Sequence, residues 1–202
     1  MLRMLVGHLL RRRPDIRVDV PRIDSISVPV RWALHRAGRH GVRVVENEGG
    51  QAYYDPYHDR IVIGRNFPGA EIMRIHAALH EAAHATSPRW RLGAAVSWWA
   101  PVAAAATFGF AHALGAVVVS VLTGIAVRVG IAFPEEIRAD RLANAWLRPY
   151  LESLGLSDET VCACETWASD LIRRDVASQL FNALSEVLFV IVAGMGGWAL
   201  RP

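Results

Sequence analysis

The chain has no lysine; all 22 of its basic residues are arginine, set against 19 acidic ones for a net charge of +3. Those arginines are scattered. Arg11, Arg12 and Arg13 form the only run, and no aromatic-basic recognition motif accompanies them, which argues against a nucleic-acid binder. Cysteine is nearly absent too, at Cys162 and Cys164 only. That excludes a disulfide scaffold and fits two small core residues in a reducing compartment, turned to different faces of a helix. A third absence is local. From Leu92 to Phe133, 42 residues contain no acidic side chain and one charge, Arg128. No internal repeat or low-complexity segment interrupts the chain, and its 202 residues suit one domain with a real core.

The uncharged block reads as a helical hairpin. Split at Gly115, it gives spans of about 21 and about 18 residues, each close to the length that crosses hydrocarbon. Trp98 and Trp99 lie near one end, where interfacial aromatics are favoured, and Arg128 is within snorkelling reach of the other. A soluble core helix would show a polar face, which this block lacks. Arg89 and Arg91 before it, and Arg138, Arg141 and Arg148 after it, favour the cytoplasmic side for both flanks. The N-terminal "MLRMLVGHLLRRRP" is apolar and then basic, the reverse of a secretory signal, and suits either an interfacial helix or one docked on the core. The tail "LFVIVAGMGGWAL" is apolar again, and residues 183–200 form either a further membrane helix or one packed on the first two.

Before the block, the pattern predicts a helix from Pro29 to His40 closed by Gly41. "VRVVE", "QAYYD" and "RIVIG" then read as three strands of a small antiparallel sheet. A helix follows, starting near Pro68-Gly69 and stopped by Pro88. After the block, "FPEEIRADRLANAWLRPYLESLG" opens with proline and two glutamates, as a helix N-terminus favours, and Ser157 is placed to cap the next helix.

"IHAALHEAAHAT" spaces His76, His80 and His84 four apart, on one helical face. His76 and His84 lie about 12 Å apart along the axis, too far to share one ion. H-E-x-x-H places Glu81 beside the open position of a metal held by His80 and His84, where it can take a proton from water. His76 is then a packed or solvated neighbour. Catalytic zinc takes three protein ligands. The candidates for the third are His112, Glu135, Glu136, Asp140, Cys162, Cys164 and Glu165. His112 falls at the hairpin turn and the cysteines would make a softer site. Glu136 and Asp140, four apart, suit best. One carboxylate can bind zinc while the other hydrogen-bonds the free nitrogen of a ligating histidine. Glu135 points about 100° away from Glu136 on the same helix.

H-E-x-x-H followed by E-x-x-A-D-x-x-A resembles the gluzincin group of zinc metallopeptidases. HtpX-type membrane proteases are similar in order: a zinc helix, an apolar hairpin, then E-x-x-x-D. "AYYDPYHDRIVIG", "HEAAHAT" and "EEIRADRLANAWL" resemble the soluble zincin domains of ArdC antirestriction proteins and ImmA-type peptidases. The resemblance covers about residues 51 to 92 and 134 to 156. It implies zinc held by His80, His84 and Glu136, with Glu81 catalytic, although ImmA-type proteins usually have asparagine where Asp140 stands. There are departures. ArdC proteins carry an N-terminal single-strand DNA-binding domain for which the 50 residues here are too few. Soluble members lack the apolar insertion, and HtpX-type chains have more spans before the zinc helix.

The expectation is an α+β, mostly helical zincin-like domain over 1–202 with a small antiparallel sheet, interrupted at 92–133 by a transmembrane hairpin. The expected function is zinc-dependent hydrolysis of a protein or peptide substrate, at the inner or plasma membrane with the site cytoplasmic. "RIVIG" is the expected edge strand for substrate, and Arg138, Arg141 and Tyr150 are the candidates for stabilising the oxyanion. The alternatives are a soluble cytoplasmic ArdC- or ImmA-like factor acting on a regulator of a mobile element, and a non-catalytic membrane adaptor stapled by zinc.

Overall fold

A computed structural model describes residues 20–87, 130, 133–174 and 177. The N-terminal apolar-basic segment, nearly all of the expected hairpin and the tail helix at 183–200 lie outside them. The elements run α1 (Ser27–Arg36), β1 (Arg43–Asn47), β2 (Ala52–Asp55), β3 (Arg60–Gly64), α2 (Glu71–Ala85) and α3 (Phe133–Ser153), and a fourth helix, α4, covers 158–174.

Two parts of the expected fold are corrected. The sheet is mixed, with strand order β1-β3-β2: β1 pairs parallel with β3, and β2 pairs antiparallel with it. The link from β1 to β2 passes over the end of β3 instead of turning back beside β1. Gly64 N–H donates to Gln51 O at 2.7 Å, and Asn66 N–H to Gly49 O at 3.1 Å. A Cβ on Gly64 would stand 2.0 Å from Gly49 O, so only glycine admits this crossing. The second correction concerns the membrane. Among the described residues no helix is long and apolar enough to cross one. The physical reason is charge: α3, with 21 residues, carries Glu135, Glu136, Arg138, Asp140, Arg141 and Arg148.

α1 ends at Arg36, four residues before the expected His40, because the glycine stop is Gly38 and not Gly41. Gly38, at φ +68°, takes the left-handed position. Arg39 N–H then reaches Leu34 O at 2.8 Å and Gly38 N–H reaches His35 O at 3.1 Å, the two bonds of a Schellman ending. Gly155, at φ +76°, closes α3 in the same way. Ser157 caps α4, accepting from Thr160 N–H at 3.3 Å.

The core forms because each element has one apolar side. Ile61 and Ile63 of β3 are fully buried and alternate with Val62, which faces the other side of the sheet. Tyr54 of β2 joins them, with Val30, Ala33 and Leu34 of α1 and Ile72, Ile75 and Leu79 of α2. α2 therefore lies between the sheet with α1 on one side and α3 on the other, α3 being its most extensive partner. That sandwiching fixes the face of α2 that carries the histidines.

Candidate metal centre

α2 presents His80 and His84 one turn apart, and both aim at the first turns of α3. Their Nε2 atoms are 2.9 Å from each other. Glu136 closes the triangle, with Oε2 3.2 Å from His80 Nε2 and Oε1 3.5 Å from His84 Nε2. A tetrahedral ion with bonds of about 2.0–2.1 Å needs donors about 3.4 Å apart. The separations bracket that edge, with the two carboxylate distances running to different oxygens, so two nitrogens and one carboxylate match zinc in type and approximate spacing. Among the described residues this is the one grouping of three such donors.

The electrostatics follow from this crowding. Burial disfavours charge on His80, but hydrogen bonds to Asp140 and Glu136 outweigh it and push its pKa up to about 10. His84 is also raised, burial being outweighed by Glu135 and Glu136. Burial likewise works against ionised Glu136, yet the two imidazoles hold it down at about 2. The site therefore favours positive charge beside ionised Glu136, the role a dication would fill.

Asp140 Oδ1 meets His80 Nδ1 at 2.7 Å, which directs the opposite nitrogen, Nε2, into the triangle. Glu81 lies next to the site on the β2 side. Its Oε2 accepts from Tyr54 N–H at 2.8 Å, tying it to the strand backbone. Burial raises its pKa, opposed by His80, His84 and that N–H. His76 stays apart from the triangle. It is buried, meets Trp167 edge-on at 6.1 Å between centroids, and burial, then the charge on His80, lowers its pKa to about 4.

Glu135 does not turn away from α2. It is 3 % exposed and packs against the end of that helix, 3.8 Å from His84 Nδ1. Ser87 Oγ donates to its Oε2 at 2.9 Å, and Arg138 donates to its Oε1 from Nε at 2.9 Å and Nη2 at 2.6 Å. Burial works against its charge, but His84, Arg138 and Ser87 hold it at about 2. α3 begins across the last turn of α2, so two adjacent positions straddle His84: Glu136 on its Nε2 side and Glu135 on its Nδ1 side.

None of the expected oxyanion partners points at the triangle. Arg138 is committed to Glu135 and to Ala83 O at 2.6 Å, and Arg141 is exposed. Tyr150 is buried against Trp32 in the core, about 21 Å from Glu136 along α3. Of the other ligand candidates, Cys162 is exposed and Cys164 buried, both free, while Glu165 pairs with Arg148 at 2.7 Å. His112 lies outside the described residues. β3, expected as the edge strand, is the central one, and β2 is the edge that bears on Glu81.

Comparison with protein-family models, with curated proteins and with solved structures finds no match to this chain.

Proposed function

We propose that the chain is a zinc metallopeptidase in which His80, His84 and Glu136 hold the ion. The observation that carries this reading is the clustering of the His80, His84 and Glu136 donor atoms within 4.8 Å of one another, with an anchored carboxylate, Glu81, beside them. Zinc at such a site supplies a Lewis acid for a scissile carbonyl and makes water easier to deprotonate. Glu81 accepts the water proton and returns it to the leaving amine. The Tyr54 N–H steadies one of its oxygens while the other serves the transfer. Asp140 keeps His80 in the tautomer whose Nε2 lone pair points inward. An extended peptide would lie along β2, whose backbone already reaches the site through Tyr54. A purely structural zinc site, with its coordination closed by protein, has no use for a base in this place.

The test is metal content and peptidase activity of the purified full chain, wild type beside Glu81→Gln. One zinc per chain in both, with hydrolysis in the wild type only, is the expected result. Zinc in both with no hydrolysis of any peptide library by the wild type would leave a structural site and overturn the enzymatic reading.

A further inference from the structure

We infer that Glu135 and Arg138 form a positioning pair for His84, matching what Asp140 does for His80. This rests on the zinc reading and extends it to the second histidine. Neither residue touches the three donor atoms. Both act through the rear nitrogen and the backbone of a ligand.

Three observations carry the inference. Glu135 sits at His84 Nδ1, the nitrogen opposite the one facing Glu136, and the 3.8 Å separation makes the link here electrostatic. Its carboxylate is fixed from the far side by Ser87 and by the Arg138 fork, so it cannot swing away from the histidine. Arg138 also ties down the turn that carries His84. Its Nη2 donates to Ala83 O at 2.6 Å and its Nη1 to Thr86 Oγ1 at 3.2 Å. Ala83 O also accepts from Thr86 N–H at 3.1 Å and from Thr86 Oγ1 at 2.7 Å, so the arginine joins the hydrogen-bonded turn that ends α2. One arginine thus fixes both the carboxylate behind His84 and the backbone beside it.

The experiment uses the full chain as wild type, Glu135→Gln and Glu135→Asp. Zinc affinity is measured by competition with a chromophoric chelator, the cobalt(II) form by its visible absorption, and the metal-free protein by its melting temperature. Glu135→Gln removes the negative charge behind His84 while keeping the shape. It is expected to weaken zinc by about 10- to 100-fold and to shift the cobalt bands. Glu135→Asp keeps the charge but draws it back by one methylene, and a smaller loss in the same direction is expected. A lower melting temperature with unchanged zinc affinity and an unchanged cobalt spectrum would make Glu135 a structural residue and overturn the inference. Should Glu135→Gln not fold, the same readouts on Glu135→Asp decide it, unchanged values again overturning it. A wild type that binds neither zinc nor cobalt overturns the metal reading itself, and this inference with it. A wild type that binds both, with variants indistinguishable from it, overturns this inference alone.

Discussion

His76 and His80 occupy the same face of the same helix, one turn apart, and end in opposite states. Burial and the neighbouring charge of His80 push His76 down to about 4, whereas His80 is lifted to about 10. Both are largely buried, so burial does not separate them. The facing helix does. Opposite His80, α3 presents Glu136 and Asp140 within hydrogen-bonding distance. His76 instead meets the edge of Trp167 from α4. The carboxylates that converge on His80 from another element set the two histidines apart, and helical spacing alone does not decide this.

The strongest way to break the comparison is to remove the base while keeping the shell. Glu81→Gln is expected to lower peptide hydrolysis by about 10²- to 10⁴-fold with zinc retained, read by initial rates and metal analysis. Wild-type turnover in that variant would take Glu81 out of the mechanism. Next in size are the ligands. Glu136→Ala is expected to weaken zinc by more than the about 10- to 100-fold typical of an outer partner. Glu135→Ala should lose less, because its carboxylate lies behind His84 and not in the triangle. Equal losses in a chelator competition, or the reverse order, would mean that Glu136 is the wrong ligand.

Much of this site is legible in the chain because helical periodicity is rigid over two turns. The four-residue steps from His80 to His84 and from Glu136 to Asp140 already place each pair on one face. What periodicity cannot supply is how two helices cross. The angular step from Glu136 to Glu135 is read correctly on an isolated helix, yet it misleads, because α3 starts across the last turn of α2 and both neighbours flank His84. The same limit applies to the strands. "VRVVE", "QAYYD" and "RIVIG" are all strands, but their order depends on a link folding over β3. Gly49, Gly50 and Gly64 bear the physical trace of that crossing, and in the sequence they read equally well as ordinary turn residues. The expectation that β3 is an edge strand failed for this reason.

Asp140→Asn sharpens the contrast more gently. The amide keeps the shape beside His80 Nδ1 but loses the charge, and a loss of about 10- to 100-fold in zinc affinity or activity is expected. An unchanged dissociation constant and rate would mean that Glu136 alone distinguishes His80 from His76.

The smallest expected effect on the metal comes from His76, and it carries its own signature in pH. His76→Phe keeps a ring against Trp167 and removes no zinc donor, so zinc affinity at neutral pH should stay within a few-fold of wild type. Stability should respond differently. The folded pKa of His76, about 4, lies below the ordinary 6.5, so between those values the unfolded chain binds the extra proton and the folded chain resists it. Stability is therefore fully present above about pH 6.5 and falls as the pH drops toward 4. The gap corresponds to at most about 3 kcal/mol, because the neighbouring His80 is coupled to it. Melting temperatures of the metal-free protein, followed from pH 7 to 4.5, should fall more steeply for the wild type than for His76→Phe. Parallel curves would show that His76 takes up its proton inside the fold as readily as outside it. The two histidines would then differ only in their partners, and burial would contribute nothing to keeping His76 neutral.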